Sequence, residues 1–340
     1  MKFAVLTKPY RFEIEDRPCP EMKDEDILIR VKKVGICGSE ITAYRGTHKF
    51  RVPPVILGHE MVGTITMTGK RVKKFQPGER VVVKPHTFCG QCSDCLTGDQ
   101  NICKERKVLG SREWPGAFGE CIVSPEYLVH HLPASVTDDE AALLDPLCVG
   151  LHAVKMAEVQ SGDRVAIMGA GSIGLSTLLA SLASGVEVYI SDVKAVTVEI
   201  AKRLGATDAF NISIAEDIRR FNALPADLRL DVIFVAADAE SCAPQALEMV
   251  RRGGQVVVLS HSHTPFVPVN MDVLMMQEKI IRGSLTYTTL DLETGIRLLA
   301  QKRIEVQPLI SEQRSLEEIQ GCFERLSAGE EGLIKILLTP

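Results

Sequence analysis

The sequence predicts an α/β protein with two domains, a small antiparallel β-barrel and a doubly wound parallel sheet. The chain has 340 residues, and a domain usually holds roughly 100 to 200 residues. Short β-branched runs separated by Pro and Gly fill the first half. From about residue 161, apolar strand-like runs alternate with helix-like stretches, a rhythm typical of a parallel sheet covered by helices on both faces.

The predicted barrel depends on four short strands bounded by turn residues. Closely spaced strands of this kind are typical of small all-β domains. They are expected at residues 26–34, 60–68, 80–84 and 120–123.

The predicted parallel sheet has six strands, because nearly continuous apolar runs indicate burial on both faces. The strands are expected at residues 165–169, 186–191, 208–210, 231–237, 255–260 and 279–285, with helices at 197–204 and 241–250. The rest of the chain predicts two helices and a last strand, at residues 292–301, 316–326 and 333–338.

Composition excludes several classes of protein. Hydrophobic residues make up 45% and charged residues 24% of the chain, so it has enough apolar material for folded cores. The net charge of -5, without a long basic block, argues against a nucleic-acid partner. The apolar run at residues 3–6 is too short for a secretory signal, so we expect a cytoplasmic protein.

One segment, residues 165–186, has no charged residue and is long enough to span a bilayer. Repeated Gly and Ser residues dilute its apolar character, and the glycines indicate a turn near its start. We therefore expect no membrane span.

Four cysteines crowd into a short segment of the chain with the spacing C-x2-C-x2-C-x7-C. Four thiolates within 15 residues can close a tetrahedral shell around a structural Zn²⁺. An iron–sulfur cluster and unliganded thiols stay open as alternatives. The expected ligands, in a lobe at about residues 86–110, are Cys89, Cys92, Cys95 and Cys103.

A glycine motif, G-x-G-x-x-G, directly follows the first strand of the predicted parallel sheet. It consists of Gly169, Gly171 and Gly174, with Ile173 before the last glycine, and Asp192 lies 18 residues beyond Gly174. Glycines permit a tight turn, a close approach of pyrophosphate and close helix–strand packing, and an acidic residue at this distance binds ribose. The motif predicts NAD rather than NADP; a glycine-rich turn with a chance Asp is the alternative.

A third set of residues is dispersed over the first half of the chain. Cys37, His59, Glu60 and Asp145 lie on predicted loops or strand ends of the barrel domain. A thiolate, an imidazole and carboxylates beside a dinucleotide fold suit a second Zn²⁺ with one position open for substrate. Judged singly, each residue is more often an ordinary core or surface residue.

The order of these motifs resembles the zinc-dependent medium-chain dehydrogenase/reductase family, in its sorbitol and threonine dehydrogenase branch. The resemblance covers essentially the whole chain. It is carried by the four-cysteine lobe and by VGICGSE (34–40), ILGHEMVG (56–63), GAFGECIV (116–123), DPLCVGLHA (145–153), VAIMGAGSIG (165–174) and VYISD (188–192).

The resemblance implies a GroES-like catalytic domain at residues 1–153 and 290–340, and a Rossmann NAD-binding domain at 154–289. It also implies a cleft for the substrate, a homodimer or homotetramer, and two zinc ions per subunit. Cys37, His59 and Glu60 match the catalytic zinc motif, Asp145 stands where the branch usually has a Glu facing the metal, and Ser39 matches the hydroxyl that takes the alcohol proton.

The chain departs from the family pattern at four positions. Glu40 stands where the family often has an Asp that orients the zinc-ligating His, and Asp145 is shorter than the usual Glu. Thr42 stands where many members have a proton-relaying His, so His48 is either a substitute or an ordinary loop residue. Thr197 replaces an Arg that is common after the ribose-binding Asp.

The sequence therefore predicts a zinc-dependent oxidoreductase that transfers a hydride from a secondary alcohol, a polyol or sugar derivative, to NAD. The same chemistry on a 3-hydroxy amino acid or an anionic sugar derivative is one alternative, and a non-catalytic dinucleotide-binding protein is another. Segment 42–54 carries Arg45, Lys49 and Arg51. These are either solvated or intersubunit loop charges, or they include a residue that binds a substrate carboxylate or phosphate.

Overall fold

The fold was derived from a computed structural model, which describes residues 1–262, 264 and 266–340. The chain divides into two compact units. The first unit comprises Met1–Asp145, Thr288–Gln301 and Ile310–Pro340. The second unit comprises Pro146–Tyr287 and Lys302–Leu309. Its bounds therefore differ from the expected 154–289 at both ends, and it includes residues 302–309, which the expected catalytic domain contained.

In the second unit, the strands alternate with helices as the sequence predicts, whereas four strands of the first unit were not predicted. The strands are β1 Lys2–Lys8, β2 Arg11–Asp16, β3 Asp26–Gly35, β4 Glu60–Thr68, β5 Arg80–Val83, β6 Cys121–Pro125, β7 Val129–His131, β8 Arg164–Met168, β9 Glu187–Asp192, β10 Asp208–Asn211, β11 Val232–Val235, β12 Gln255–Val258, β13 Ile280–Gly283, β14 Ile310–Ser315 and β15 Lys335–Thr339.

The helices are α1 Gly38–Tyr44, α2 Ser93–Leu96, α3 Asp138–Ala142, α4 Leu144–Met156, α5 Ser172–Leu182, α6 Ala195–Arg203, α7 Ala215–Asp227, α8 Ala239–Met249, α9 Met271–Met276, α10 Thr289–Ala300 and α11 Ile319–Ser327. None of the described helices is long and apolar enough to cross a membrane. The uncharged segment 165–186 divides into β8, a glycine turn and α5.

The first unit contains a seven-stranded sheet in the order β14-β15-β3-β4-β5-β7, with β6 also pairing with β3. Its pairings are antiparallel except that β14 and β15 run parallel. The strands that the sequence predicted in this unit pair antiparallel as expected, and the parallel pair lies at an edge that includes the unpredicted strand β14. A parallel pair is possible because helical segments separate β14 from β15 and return the chain in the same direction.

The second unit contains the predicted sheet of six parallel strands, in the order β10-β9-β8-β11-β12-β13. Strand order reverses beside β8, whose neighbours are β9 and β11. In open α/β sheets, ligands bind beyond the carboxyl ends of the strands at such a reversal. The glycine motif follows β8 and so begins at this point.

An aromatic cluster fixes the short helix α1 within the first unit. Tyr44, the last residue of α1, has its ring centroid 5.3 Å from that of Phe323 in α11. Phe12 and Phe118 pack on the same Phe323 ring, with centroids 4.6 Å and 5.8 Å away. Buried aromatic pairs of this kind are worth about 0.5–1.5 kcal/mol each beyond their area. The C-terminal helix therefore holds in place the helix that carries Ser39.

Candidate metal and cofactor sites

The first turn of helix α1 carries Glu40, whose carboxylate organises the candidate metal site. Glu40 is fully buried, and its Oε2 accepts a hydrogen bond of 3.0 Å from the backbone N–H of Cys37. Its Oε1 accepts from the backbone N–H of Gly58 at 2.7 Å. Glu40 therefore joins the two loops that carry Cys37 and His59.

Glu40 also orients the imidazole of His59. The Nδ1 of His59 lies 2.8 Å from Glu40 Oε1, and because a carboxylate only accepts, Nδ1 carries the hydrogen. Burial by itself would raise the pKa of Glu40, but the neighbouring His59 holds it below its ordinary value. The remaining ring nitrogen, Nε2, is left for a metal, as in other carboxylate–histidine–metal arrangements.

The candidate ligand atoms of Cys37, His59 and Glu60 all lie within 4.8 Å of one another. A thiolate, an imidazole and a carboxylate at this spacing form a donor set that suits Zn²⁺ with an open position. Among the described residues, Asp145 is not part of this group; it lies half-buried in the first turn of α4. Ligation by Asp145 and by Glu60 stays a prediction.

The carboxylate of Glu60 faces a lysine that sequence reasoning missed. Lys335, in β15, donates to both Glu60 oxygens and to the backbone carbonyl of Ile36 at 2.9 Å. Burial by itself would lower the pKa of Lys335, but Glu60 raises it above its ordinary value. No local pattern identifies this lysine, since β15 otherwise has the sequence of an ordinary apolar strand.

The presumed proton acceptor, Ser39, lies beside the ligand group. Its hydroxyl donates to the Cys37 sulfur at 3.3 Å. The guanidinium of Arg51 donates from Nη1 to Ser39 Oγ at 2.7 Å. Arg51 is only 4% exposed, so of the three basic residues in segment 42–54 this one lies at the candidate site.

The other residues of segment 42–54 have different partners. Arg45 is exposed, and its Nη2 donates to the Ser327 carbonyl at 2.7 Å. The Thr42 hydroxyl donates to the backbone carbonyl of Ser39 at 2.7 Å. Nδ1 of His48 accepts from the backbone N–H of Arg51 at 3.2 Å, so this nitrogen takes part in a loop turn.

The four cysteines of the lobe come together around the short helix α2. The sulfur atoms of Cys89, Cys92, Cys95 and Cys103 lie within 4.8 Å of one another. The backbone N–H groups of Gln91 and Cys92 point at the Cys89 sulfur and lower its pKa to about 7. Four convergent sulfurs, one of them with a lowered thiol pKa, fit a closed tetrahedral Zn²⁺ site.

The glycine motif forms the turn between β8 and α5. Gly169 has a φ of +103°, which only glycine adopts readily. A Cβ on Gly174 would lie 1.8 Å from the carbonyl oxygen of Gly169, whereas a Cβ on Gly171 would meet nothing within 4 Å. Gly169 and Gly174 therefore serve the fold, and Gly171 leaves open space beside the turn.

Asp192, the last residue of β9, is tied to this turn. Its Oδ2 accepts from the backbone N–H of Ala170 at 2.6 Å, and its Oδ1 accepts from that of Lys194 at 2.9 Å. Thr197, in α6, donates its hydroxyl to the Lys194 carbonyl at 2.9 Å. The sequence-predicted ribose carboxylate thus lies at the glycine loop.

The N-terminus of α5 has the features of an anion cradle. Gly171, its N-cap residue, offers no side-chain cap to the first-turn N–H groups. Within the described part of the chain, the buried hydroxyl of Ser172 has no hydrogen-bond partner. Uncapped N–H groups and an unsatisfied hydroxyl at a helix N-terminus fit the pyrophosphate of a dinucleotide. The spacing of the glycines does not by itself single out Ser172 as a site residue.

Comparison with known proteins places this architecture in one family. The model of the alcohol dehydrogenase GroES-like domain matches residues 23–134, and that of the zinc-binding dehydrogenases matches residues 172–301. The sorbitol dehydrogenase of Bacillus subtilis (strain 168) is 32% identical over 344 residues, covering 100% of this chain and 97% of the relative.

Two solved structures are similar over the full length. A short chain alcohol dehydrogenase from E. coli CFT073 complexed with NADH has a TM-score of 0.92 at 26% identity, covering 100% of this chain and 99% of the other. The galactitol-1-phosphate dehydrogenase of Escherichia coli has a TM-score of 0.91 at 26% identity, with 100% of both chains covered.

The chain belongs to the zinc-dependent alcohol dehydrogenases of the medium-chain dehydrogenase/reductase family, in the branch similar to sorbitol dehydrogenase. The predicted family, the GroES-like plus Rossmann fold class and the enzyme class, an alcohol or polyol dehydrogenase, are confirmed.

Proposed function

We propose that this protein oxidises a secondary hydroxyl of a polyol or sugar-derived alcohol with NAD, and catalyses the reverse reduction. The observation that carries the proposal is the convergence of the Cys37, His59 and Glu60 ligand atoms within 4.8 Å next to the hydroxyl of Ser39. A small-molecule alcohol is the partner of such a site.

The cofactors are zinc and NAD. Cys37 and His59, with Glu60 or Asp145, would hold the catalytic zinc, which when bound polarises the alcohol oxygen, while NAD accepts the hydride. Glu40 keeps the His59 ring in the orientation and tautomer that a metal ligand needs. The chain's own contribution is therefore a preformed ligand set.

Ser39 takes the hydroxyl proton of the substrate in this proposal. Its side chain is half-buried, so it is accessible to a small ligand. Its position two residues after Cys37 on the first turn of α1 keeps it beside the metal ligands. Arg51 donates to the same oxygen, which leaves the serine hydroxyl in a defined orientation.

The second unit would bind NAD through Gly169, Gly171, Ile173 and Gly174, with Asp192 on the adenosine ribose. Gly171 leaves space for pyrophosphate, and the α5 N-terminus supplies donors. The carboxylate of Asp192 would repel a 2′-phosphate, which favours NAD over NADP. We therefore propose the first unit as the catalytic domain and the second as the cofactor domain.

The four-cysteine lobe would hold a second, structural zinc. Its role is to fix a loop with few core residues of its own, because Leu96 and Ile102 within it are exposed. Reduced thiols are required for this site, which supports a cytoplasmic location. A homodimer or homotetramer remains part of the proposal.

The substrate class is tested with purified, zinc-loaded protein and NAD, by following the absorbance of the reduced nicotinamide. We expect the highest kcat/KM for a neutral polyol. A preference for threonine would favour the 3-hydroxy amino acid alternative. No turnover of any alcohol, together with tight NAD binding, would leave a non-catalytic dinucleotide-binding protein.

A second candidate substrate class is an anionic sugar derivative. It is favoured by the buried cation Arg51 at the candidate site and by similarity to a dehydrogenase named for a sugar-alcohol phosphate. A sugar acid or sugar phosphate should then exceed its matching neutral polyol in kcat/KM, through KM. Equal values for the charged and neutral substrates would exclude this class.

A further inference from the structure

We propose that Arg51 is a positioning residue that holds the hydroxyl of Ser39 for proton removal and stabilises negative charge on its oxygen. The inference rests on the proposed alcohol oxidation. It gives the proton acceptor a supporting cation, and it does not replace the proton-relaying histidine that many family members have at the position of Thr42.

The contacts of Arg51 point to Ser39 as its main partner. Nη1 donates to Ser39 Oγ at 2.7 Å. Within the described part of the chain, the carbonyl acceptor nearest to Nη2 is that of Leu109, at the long distance of 3.4 Å. Nη2 also lies 3.3 Å from Nδ1 of His59. Because that Nδ1 donates its hydrogen to Glu40, the approach of two donors is not a hydrogen bond.

Burial of the Arg51 guanidinium in these surroundings costs folding free energy. The side chain is 4% exposed, and its buried Nε has no hydrogen-bond partner among the residues that the structure describes. A buried charge with an unsatisfied donor normally destabilises a fold. An arginine that served only to cross-link loops would have a hydrogen-bond acceptor for each of its N–H groups. The N–H of Arg51 that lacks an acceptor therefore indicates a role in the site.

The charge of Arg51 lies where the reaction needs it. As Ser39 passes on the proton that it takes from the alcohol, negative charge develops on its oxygen, 2.7 Å from Nη1. The fixed, buried cation stabilises that charge. A guanidinium does not give up its own proton. Arg51 can therefore hold and polarise the serine but cannot relay a proton, and the proton leaves Ser39 by another acceptor.

The hydroxyl of Thr42 and Nδ1 of His48, which could be considered for a proton relay, both have backbone partners. The hydroxyl of Thr42 donates to the backbone carbonyl of Ser39, and Nδ1 of His48 accepts backbone N–H groups of the loop. Ser39 itself is half-buried. The half-buried Ser39 is therefore open to a small proton acceptor such as water.

The test compares Arg51→Met with wild type as zinc-loaded enzyme on a neutral polyol. Arg51→Met removes the charge but keeps a similar chain length. We expect kcat to fall about 10- to 100-fold with KM changed less than about threefold, because the interaction strengthens as charge develops. Arg45→Met is the matched control, since Arg45 is exposed and binds Ser327, and it should leave both constants unchanged.

A binding measurement provides a readout that does not depend on turnover. Trifluoroethanol is an acidic alcohol that resists oxidation, so its dissociation constant from the enzyme–NAD complex reports stabilisation of a negative alcohol oxygen. Arg51→Met should weaken this binding about tenfold, with zinc content close to wild type and a Tm equal to or above that of wild type.

A double-mutant cycle separates positioning of Ser39 from a structural role. In a Ser39→Ala background, Arg51→Met should lower the residual kcat less than about threefold, because its partner is already absent. An equal loss in both backgrounds would overturn the proposal, as would wild-type kcat and trifluoroethanol affinity in Arg51→Met. Arg51→Gln is the second variant should the Met variant fail to fold.

Two further outcomes are distinguishable. A loss confined to anionic substrates would assign Arg51 to substrate binding and overturn its role on Ser39. Absence of NAD-linked oxidation in the zinc-loaded wild type would refute the proposed function itself, and this is seen before any variant is compared.

Discussion

Lys335 Nζ lies 2.8 Å and 2.5 Å from the two carboxylate oxygens of Glu60, and both side chains are 1% exposed. The two residues are 275 positions apart in the chain. The last strand of the protein therefore supplies the counter-ion of a carboxylate at the candidate catalytic site. A buried ion pair of this kind destabilises the fold when only one partner is removed.

The first prediction follows from this pair. Lys335→Met should lower the free energy of unfolding by about 3–5 kcal/mol, because it leaves a buried carboxylate without a counter-ion. Glu60→Gln combined with Lys335→Met should recover much of that loss. Urea unfolding measures both. The control is Lys2→Met, since Lys2 and Glu317 form a half-exposed pair at 2.8 Å, and its loss should leave the stability close to that of wild type.

If the double variant were as unstable as Lys335→Met alone, the lysine would stabilise the strand by some means other than the Glu60 pair.

The second prediction separates the glycines of the nucleotide turn. Gly174→Ala should lower Tm, because its Cβ would meet the Gly169 carbonyl at 1.8 Å. Gly171→Ala meets no atom within 4 Å, so it should keep the wild-type Tm while weakening NADH binding at least about tenfold. Fluorescence titration of NADH and thermal unfolding give the two readouts. Wild-type NADH affinity in Gly171→Ala would show that pyrophosphate does not approach this residue.

The third prediction concerns metal content. Wild type should contain about two zinc ions per chain, because two separate ligand sets are present. Cys37→Ser should lose one zinc and turnover with little change in Tm, whereas Cys95→Ser should lose the other zinc and lower Tm first. Elemental analysis and thermal unfolding decide this. One zinc or none in carefully prepared wild type would contradict the two-site assignment.

The fourth prediction tests the cofactor preference. Wild type should prefer NAD to NADP, and Asp192→Asn should narrow the ratio of the two kcat/KM values by removing charge repulsion. The amide oxygen can accept from only one of the Ala170 and Lys194 N–H groups, which donate to different carboxylate oxygens. Thermal unfolding is therefore measured beside the kinetics, and the comparison uses the variant only if its Tm stays close to wild type. Equal use of NADP by wild type would refute the assigned role of Asp192.

The fifth prediction depends on a second buried lysine in the first unit. Lys84 is 1% exposed. Among the described residues, the hydrogen-bond contacts of its Nζ are long, 3.4 Å each, to Gln100 and Thr289. Burial lowers its pKa from 10.5 to about 8. Because the unfolded chain then binds more protons between those two values, stability should rise with pH from about 8 to about 10.5.

The variant Lys84→Met checks this reasoning. Below pH 8 the folded state bears the cost of a buried ammonium, so the methionine variant should be more stable at pH 7 by about 1–3 kcal/mol. The gain should shrink as pH rises toward 10.5, where wild-type Lys84 is neutral in both states. A lower stability at pH 7 would mean that the contact of Lys84 with the Phe88 ring, at 4.8 Å, outweighs the desolvation.

The sequence predicted those features whose determinants are close together in the chain. The four-cysteine lobe lies within 15 residues, so its convergence follows from local spacing. The six parallel strands appear as apolar runs because both faces are buried, and Gly169 and Gly174 stand where a Cβ would be strained or blocked. In these cases local geometry leaves few alternatives.

Strands with mixed or short patterns escaped prediction. The sequence did not predict four strands of the first unit, which are β1, β2, β7 and β14. Of these, β2 and β14 are mostly exposed or half-exposed, and β7 has only three residues. Their presence depends on partners elsewhere in the sheet. The parallel pairing of β14 with β15 likewise follows from the path of the chain and not from a local motif.

Only the tertiary structure decided which charges belong to the site. Segment 42–54 offers three basic residues of equal standing in the sequence, and packing buries Arg51 against Ser39 while Arg45 stays exposed. Lys335 reaches Glu60 from the far end of the chain because β15 pairs with β3, the strand that leads to Cys37. Residue spacing defines local ligand sets, whereas strand register and burial determine which distant charges meet them.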